Sequence, residues 1–336
     1  MNKNFHKLGL GGATFGNILA DGIFGGVNQE KSIEIIDYAY ESGIRIFDTA
    51  PLYGFGRSEL WYGRALNGKK RESLNLTSKC GRLIRNLRNK KNSKINEIDI
   101  DKGYGEPIFD YSPDGIRRSV EESLMRLKTD YLDTLLLHDP DQGGLEKEAL
   151  IFAFPEMMKM KEEGIIKKIG CGINECEMPI RFMKNIDLDK ILIAGRYTLL
   201  ENTKSSEFMK ICEKNDVQVI IGGPYNSGIL ARDLNSPVSY NYEVAPKDLI
   251  IKAKNIERTT NKFNVSLKSA ALNFVLKNSQ VFSVVPGMSS INEVRDNIQI
   301  ANEAMPEELW ASLSKDKFIK NLRILKLKLI IIKRSK

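Results

Sequence analysis

Four polar side chains occur where consecutive strand-like segments end, and their types suit proton transfer. Asp48 ends one short apolar segment, and Tyr53 follows it by five residues. Lys79 ends the next such segment, and His138 lies at the end of the one after that. Taken singly, the acid could cap a turn, the phenol could pack, the amine could be solvated and the imidazole could belong to the core. An acid, a phenol, an amine and an imidazole at three successive strand ends are uncommon by chance, so we predict a shared site.

The chemistry that these four side chains suit is proton transfer coupled to hydride transfer. A phenol titrates near pH 10, too high for a good base at neutral pH, but an adjacent ammonium group favours the phenolate and lowers its pKa. Lys79 could supply this charge, and Asp48 would then hold Lys79 in place and keep it protonated. His138 could hydrogen-bond the substrate oxygen and orient it. Tyr53 is therefore the predicted general acid and base.

The elements that must position these side chains follow a regular alternation of strand-like and helix-like segments. Eight βα units in a chain of 336 residues predict an α/β fold, a closed (β/α)8 TIM barrel, rather than an open doubly wound sheet. The carboxyl ends of all eight strands then share one face, where the four side chains can converge. The predicted strands are residues 8–13, 44–48, 74–79, 131–139, 166–172, 191–197, 217–223 and 281–287. The clearest helical patterns lie in residues 31–43, 112–127 and 266–278.

Composition limits the class of protein. With 42% apolar residues the chain can bury a sizeable core. Its longest unbroken apolar run, Ala149–Phe154, is far below the roughly 20 residues that a membrane span requires, and no early segment has a cleavage pattern, so we expect a cytoplasmic protein without a membrane partner. The four cysteines contain no CxxC pair and are interpreted as reduced structural thiols, with no metal site.

The net charge of +8 is concentrated at the C-terminus. Residues 315–336 contain nine Lys or Arg and one acid, which leaves the rest of the chain neutral. We therefore predict a single barrel domain over residues 1–314, followed by a basic tail over 315–336, and no nucleic-acid partner. The tail could be an electrostatic anchor or, as we favour, a solvated or docked terminal helix. The polar stretch 85–105 is predicted to be a surface loop, and no signal in the sequence fixes an oligomeric state.

At this point the sequence resembles the aldo-keto reductases. The segments FDTAPLYG, LTSKCG, LDTLLLHD, KKIGCGIN, GRYTLLE and GGPYNSGIL are similar to segments of that family and come in its order, between residues 8 and about 310. The resemblance implies a (β/α)8 barrel that uses an Asp, Tyr, Lys and His tetrad with a nicotinamide cofactor. The last four segments are most similar to the branch that oxidises aldoses such as L-fucose, L-galactose and D-threo-aldoses, with pyridoxal dehydrogenases nearby. The basic, apolar C-terminus departs from the family, whose members usually use this segment in the substrate pocket.

The resemblance also implies where the cofactor binds. Asn174 would bond the nicotinamide carboxamide, the backbone around residues 223–228 would contact the pyrophosphate, and residues 287–297 would hold the adenosine phosphate end near a helix N-terminus. The predicted cofactor-binding residues are Asn174, Gly223, Tyr225, Ser227, Gly228, Gly287, Ser289, Glu293 and Asn297. The glycines could equally serve only to shape a turn. A Rossmann site is not indicated, because GLGGAT has Thr14 where the last glycine of GxGxxG would fall.

One position bears on the choice between NAD and NADP. In many NADP-preferring relatives a basic residue lies seven positions after the proline that ends the last strand, and here that position is Glu293. A carboxylate would repel the 2′-phosphate of NADP and could accept a hydrogen bond from the ribose of NAD. We therefore predict NAD, with NADP possible because Arg295 lies two residues further on.

Three classes of function remain open on the sequence alone. The first is an NAD(P)-dependent oxidoreductase that acts on an aldose or a small aldehyde or alcohol, with a pyridoxal dehydrogenase-like activity as a variant. The second is a Schiff-base lyase, because barrel enzymes of that class also place a lysine on a strand. The third is a non-catalytic regulatory protein on the same barrel, because a fold does not by itself determine function.

Overall fold

Eight parallel strands form the centre of the protein. The computed structural model describes residues 4–16, 26–87, 95–102, 105–241 and 243–319. The barrel strands are β1 (Gly9–Gly11), β2 (Ile46–Asp48), β3 (Asn75–Cys80), β6 (Thr134–His138), β7 (Ile169–Ile173), β8 (Lys190–Ala194), β9 (Gln218–Gly222) and β12 (Val281–Val285). In the described ranges, the remaining strands form two antiparallel hairpins, β4 (Arg82–Asn86) with β5 (Gly105–Phe109) and β10 (Ser239–Tyr240) with β11 (Glu243–Val244).

The barrel strands pair in the order in which they occur along the chain, as expected for successive βα units. The first and last strands meet through parallel bridges from Leu8 to Val284 and from Gly11 to Gly287. The amide of Gly11 also donates to the carbonyl of Pro286 at 2.9 Å, which closes the ring of strands. The prediction of a (β/α)8 barrel is confirmed, and all eight predicted strands are present.

Helices alternate with the strands and cover the barrel. Several begin at a residue whose side chain accepts from a backbone amide of the first turn, such as Asn28, Ser112, Ser266 and Ser290. The helices are α1 (Gln29–Glu41), α2 (Arg57–Leu66), α3 (Glu97–Asp101), α4 (Pro113–Leu127), α5 (Glu146–Glu148), α6 (Phe154–Glu162), α7 (Glu177–Phe182), α8 (Ser205–Lys214), α9 (Lys247–Asn261), α10 (Leu267–Leu276), α11 (Ile291–Asn302) and α12 (Glu307–Lys315). A π-helical turn, Ala149–Ala153, joins α5 to α6.

The apolar core has two parts. A small cluster fills the inside of the barrel, where Ile46, Leu136, Leu192, Ile220 and Val285 point from different strands toward one another. The larger cluster lies between the strands and the helices. The two clusters fix the strands from both faces, as the fully buried strands of a parallel sheet require.

The stretch 85–105 differs from the prediction of a surface loop. Its described residues include the ends of the β4–β5 hairpin and the helix Glu97–Asp101, which Asn96 caps by accepting from the Asp99 amide. The helix was not predicted because its composition is mostly polar and, of its apolar residues, only Ile100 is buried. Residues 88–94 and 103–104 lie outside the described residues.

The chain packs on the barrel slightly beyond the predicted domain boundary. Ile319 is buried, and the carbonyl of Phe318 accepts from Nδ2 of Asn202 at 3.0 Å. The predicted basic tail from residue 320 onward lies outside the described residues. Within the part of the chain that the structure describes, no helix is both long and apolar enough to cross a membrane.

Candidate active site and cofactor cleft

A tight turn after β2 presents Tyr53 at the carboxyl end of the barrel. The chain leaves Asp48 and passes through a 3-10 turn, Tyr53–Gly56, before α2 begins at Arg57. Gly54 has a φ of 60°, and a Cβ there would lie 2.5 Å from the carbonyl oxygen of Gly16. Only glycine fits both this backbone conformation and this close approach. The turn is thereby held against residue 16, and its conformation fixes the direction of the phenol.

Asp48 and Lys79 form a buried ion pair below this turn. Nζ of Lys79 donates to Oδ1 of Asp48 at 2.8 Å and to the carbonyl of Thr49 at 2.9 Å. The two side chains are only 1% and 5% exposed, for Lys79 and Asp48 respectively. Burial by itself favours the neutral amine, but the nearby Asp48 and Tyr53 hold the pKa of Lys79 above its ordinary value. Lys79 is therefore an ammonium group at neutral pH.

Tyr53 lies over this ammonium group. Nζ of Lys79 is 4.7 Å from the centre of the Tyr53 ring. The positive charge lowers the pKa of the phenol, but burial has the larger effect, and together they raise the pKa of Tyr53 to about 12. The sequence-based expectation of a lowered pKa is therefore wrong for this arrangement, because it considered the charge without the loss of solvent around the phenol. At neutral pH Tyr53 is a protonated phenol.

His138 completes the group at the end of β6. Its ring is perpendicular to the Tyr53 ring, with the two centroids 5.7 Å apart. The hydroxyl of Tyr111 donates to the carbonyl of His138 at 2.9 Å and anchors the end of the strand. Burial, supported by the charges of Lys79 and Arg82, lowers the pKa of His138 well below its ordinary value. The imidazole is therefore neutral and can donate one hydrogen bond without carrying charge.

All four residues predicted from the strand ends thus meet at one place. The barrel register brings this about, because Asp48 pairs with Thr77 two residues before Lys79, while Lys79 itself pairs with Leu136 two residues before His138. Their roles in a reaction stay a prediction, which the experiments below test.

The four residues adjoin a long cleft of about 340 Å³, within the range of about 300–1,000 Å³ typical of small-molecule sites. Asp48 and Tyr53 line one end of it. All nine residues predicted to bind the cofactor line the same cleft: Asn174, Gly223, Tyr225, Ser227, Gly228, Gly287, Ser289, Glu293 and Asn297. One continuous cavity therefore connects the candidate catalytic group with the candidate cofactor residues.

The loop after β9 curls around the middle of the cleft. Gly223 and Gly228 have φ values of 56° and 99°, and Asn226 and Ser227 between them are also in the left-handed region. Asn226 holds the curl, because its Nδ2 donates to the carbonyl of Gly195 at 3.0 Å and its Oδ1 accepts from Thr198. The amides of Asn226 and Gly228 donate to the carbonyls of Gly223 and Tyr225 at 3.0 and 3.1 Å, so the loop holds its own shape as one wall of the cleft.

The N-terminus of α11 closes the far end of the cleft. Glu293 donates its amide to the Ser290 hydroxyl at 3.1 Å, and its carboxylate accepts from the amide and hydroxyl of Ser289 at 2.7 and 3.1 Å. This is close to a capping box, so Glu293 also has a purely local role. Arg295 points elsewhere, because its guanidinium donates to Asn292 at 3.0 Å and lies 5.7 Å from the Tyr38 ring centre.

Two basic residues of the cleft were missed by the sequence-based prediction. Arg232 and Lys268 both line it, and Arg232 lies against Gly228. Lys268 is the second residue of α10, where the helix dipole disfavours a cation, and this local conflict was the available signal. These two cations fit a ligand that carries phosphate groups, as a nicotinamide dinucleotide does.

A second missed feature lies beside His138. Asp139 is in the left-handed region at a φ of 45°, and Nη2 of Arg82 donates to its Oδ2 at 2.9 Å. Nδ2 of Asn174 is 3.4 Å from the other carboxylate oxygen. Burial raises the pKa of Asp139 to about 6, against the opposing charge of Arg82.

Comparison with known proteins agrees with this arrangement. The model of the Aldo/keto reductase family matches residues 7–315. The chain is 34% identical to a D-threo-aldose 1-dehydrogenase from Pseudomonas sp. over 318 residues, covering 93% of this chain and 94% of that protein. It is 31% identical to a pyridoxal 4-dehydrogenase from Microbacterium luteolum over 327 residues, with the same coverage of 93% and 94%. An aldo-keto reductase from Bacillus halodurans in its holo form superposes with a TM-score of 0.71 at 24% identity, covering 94% of this chain and 92% of that one. The resemblance stated from the sequence motifs is confirmed, and the chain belongs to the aldo/keto reductase family.

Proposed function

We propose that this protein is an aldose dehydrogenase that uses a nicotinamide cofactor, with Tyr53 as its general acid and base. The observation that carries the proposal is the buried ion pair of Lys79 and Asp48 beneath Tyr53, at the end of a cleft suited to a dinucleotide. A cation is costly to bury and is seldom kept without a function or a partner. Here the partner holds the cation where it acts on the phenol.

The residues divide the work as follows. Tyr53 gives a proton to the substrate oxygen in reduction and takes one from it in oxidation. The ammonium of Lys79 offsets part of the cost of the phenolate that forms, and Asp48 keeps that ammonium in place. Neutral His138 donates to the same substrate oxygen and fixes its position. A nicotinamide cofactor, NAD or NADP, is the hydride carrier of this family and supplies or accepts the hydride when bound.

The aldose class is supported by the relative at 34% identity whose name is D-threo-aldose 1-dehydrogenase. Pyridoxal is the second substrate to test, because the relative at 31% identity is a pyridoxal 4-dehydrogenase. A Schiff-base lyase is disfavoured, because a lysine must be a free amine to attack a carbonyl, and the pKa of Lys79 is raised by its partners.

Glu293 supports a preference for NAD over NADP. Its carboxylate is fixed by Ser289 at the helix N-terminus that lines the far end of the cleft, so a 2′-phosphate bound at that end would meet a fixed negative charge. Arg295, the residue that could have countered this repulsion, is directed toward Asn292 and Tyr38 instead.

The test is a screen of aldoses, small aldehydes and pyridoxal with both cofactors, followed by kcat/KM values for the best substrate. We expect turnover of at least one aldose and a higher kcat/KM with NAD. Glu293→Arg is expected to reduce or reverse the ratio of kcat/KM with NAD to kcat/KM with NADP. Gln299→Arg, at an exposed position further along the same helix, serves as the control for added charge. Preference of the unmodified protein for NADP would overturn the cofactor proposal. Borohydride trapping of substrate on Lys79 would overturn the dehydrogenase proposal in favour of the lyase.

A further inference from the structure

A nearly buried ion pair stands beside the candidate catalytic group and has no role in the proton transfer described above. Asp139 follows His138 in the chain and is 8% exposed. Arg82, from the start of the β4–β5 hairpin, donates to Oδ2 of Asp139 at 2.9 Å and to Oε1 of Gln142 at 2.8 Å. Two segments that are distant in sequence therefore meet to hold one carboxylate in a fixed position.

This carboxylate faces the atom that is to hold the substrate. Oδ2 of Asp139 lies 3.5 Å from Nε2 of His138, and its Oδ1 lies 3.4 Å from Nδ2 of Asn174. Asn174 lines the cleft together with Tyr53. A substrate oxygen held by His138 would thus have the Asp139 carboxylate as its neighbour. Two oxygens on adjacent carbons can lie about one hydrogen-bond length apart, so the next substrate oxygen falls within reach of Asp139.

The surroundings of the pair contain polar atoms that the protein leaves unbonded. Among the residues that the structure describes, Nε of Arg82 and Oδ1 of Asp141 are buried without a hydrogen-bond partner. Such atoms are costly in a native structure unless a ligand or water satisfies them. The Arg82–Asp139 pair and the neighbouring Asp141 make the surroundings of His138 polar, and this favours a hydroxyl-bearing substrate over an apolar one.

From this geometry we infer that Asp139, held by Arg82, is a specificity-determining residue that accepts a hydrogen bond from a hydroxyl group on the carbon next to the reacting one. The substrate class is then a 2-hydroxy aldehyde or an aldose with a free hydroxyl at C2. The inference rests on the proposed function for the position of the reacting oxygen at His138. It adds that Asp139 recognises the hydroxyl group on the neighbouring carbon.

A different role for Asp139 would be to orient His138 alone. The two roles have different consequences for substrates that differ only in one hydroxyl. If Asp139 binds the hydroxyl group, replacing it lowers kcat/KM chiefly for substrates that carry this group. If it only orients His138, its loss affects both kinds by the same factor.

The experiment compares lactaldehyde with propanal as substrates for reduction, since they differ only in the 2-hydroxyl group. The variants are Asp139→Asn, which has a similar shape and tolerates the left-handed backbone, and Arg82→Lys. Asp187→Asn, an exposed aspartate that precedes β8 at the opposite end of the barrel, is the matched control. We expect the unmodified protein to favour lactaldehyde in kcat/KM by about tenfold to a hundredfold, the usual effect of a hydrogen bond to a charged group. Asp139→Asn should reduce the ratio of kcat/KM for lactaldehyde to kcat/KM for propanal to within about threefold of unity, while the ratio of Asp187→Asn stays that of the unmodified protein.

A binding measurement keeps the inference separate from the proposed function. Calorimetric titration with D-arabinose, D-ribose and 2-deoxy-D-ribose, in the presence of saturating cofactor, requires no turnover. The inference is supported if at least one sugar with a C2 hydroxyl group binds more tightly than 2-deoxy-D-ribose and Asp139→Asn removes this difference. This result supports the inference even if no substrate is turned over and the proposed function fails. Turnover without a preference for lactaldehyde, or an Asp139→Asn variant in which both aldehydes lose activity equally, overturns the inference and leaves the proposed function standing.

Discussion

Replacing Lys79 with Met would leave a carboxylate buried without its partner. The methionine side chain has nearly the same length and keeps the packing of the lysine stem, so the change removes chiefly the charge and its hydrogen bonds. Asp48 loses the donor at 2.8 Å, and the carbonyl of Thr49 loses the donor at 2.9 Å. We expect Lys79→Met to be folded but strongly destabilised, and to lose nearly all turnover because Tyr53 loses the charge that opposes its burial.

The size of the effect follows from the burial of the pair. Breaking a buried ion pair by removing one partner costs about 3–5 kcal/mol of unfolding free energy, because the other charge stays uncompensated. The double variant Lys79→Met/Asp48→Asn removes both charges, and it is expected to lie within about 2 kcal/mol of the unmodified protein. The control is Lys69→Met, whose lysine pairs at the surface with Glu41 at 2.7 Å. Because solvent screens that surface pair, Lys69→Met is expected to change the free energy of unfolding far less than Lys79→Met.

The destabilisation by Lys79→Met should depend on pH with a definite sign. Burial raises the pKa of the Asp48 carboxyl, and Lys79 opposes this, so removing Lys79 raises the pKa further. A carboxyl whose pKa is higher in the folded than in the unfolded protein costs stability as the pH rises from about 4, its unfolded value, to the folded value. The free energy lost relative to the unmodified protein should therefore be smaller near pH 5 than near pH 8, by up to about 1.4 kcal/mol for each pH unit in that window.

Urea unfolding at these two pH values measures the stability of all four proteins, and turnover is measured on the same samples. A Lys79→Met variant that is no less stable than Lys69→Met would refute the reasoning. So would a double variant less stable than Lys79→Met, because the cost would then come from lost packing and not from an unpaired charge. Residual oxidation by Lys79→Met should increase toward higher pH, where the phenol can still lose its proton.

Three further predictions test individual residues of the site. Tyr53→Phe is expected to lower turnover by about 10²-fold or more with nearly unchanged cofactor affinity, because it removes only the proton donor, and near-normal turnover would exclude Tyr53 from that role. The buried His138 should stay neutral well below the pH at which an ordinary histidine gains its proton, because burial lowers its pKa. Nuclear magnetic resonance of the two histidines can follow this with His6→Gln for assignment, and an ordinary titration of His138 would contradict its environment. Gly54→Ala should destabilise the protein by about 2 kcal/mol and lower turnover, because it adds a clash with Gly16 to backbone strain, whereas Gly68→Ala, at a φ of 82° with nothing near its Cβ, should show the strain alone.

Much of the fold could be predicted because its signals are local. Most barrel strands lie in short apolar or β-branched segments, and helices such as α4 begin at a Ser-Pro pair whose serine caps the first turn. The four candidate catalytic residues could be predicted for a related reason, since parallel strands place every strand end on one face. Once the eight strands are recognised, the convergence of Asp48, Lys79 and His138 requires no knowledge of side-chain packing.

The features that could not be predicted depend on contacts between distant segments. Arg82 and Asp139 are 57 residues apart, and nothing in either sequence neighbourhood indicates the other. The helix Glu97–Asp101 buries little apolar surface, so its periodic signal is weak. The pKa of Tyr53 depends on how much solvent the folded site excludes. The sequence indicates that the charge of Lys79 is nearby, but it does not indicate how deeply the phenol is buried.

The direction in which the pKa of Tyr53 is shifted determines whether kcat/KM for oxidation or kcat/KM for reduction depends on pH. Because oxidation releases a proton, the ratio of kcat/KM for oxidation to kcat/KM for reduction must rise tenfold with each pH unit, whatever the mechanism. If Tyr53 rests as a phenol with its pKa raised to about 12, it is already in the form that donates a proton in reduction. Reduction should then be nearly constant from about pH 6 to about pH 9, while oxidation rises close to tenfold per unit.

Measuring kcat/KM in both directions over that range separates the two contributions to the pKa of Tyr53. A reduction rate that falls steeply above about pH 7, with oxidation constant, would mean that the charge of Lys79 outweighs burial once substrate and cofactor are bound. The phenolate would then be the resting form, and the pKa of Tyr53 would be lowered, as the sequence-based argument expected. A constant reduction rate instead assigns Lys79 the narrower role of stabilising the phenolate only as it forms, and this is the role that differential stabilisation of the transition state requires.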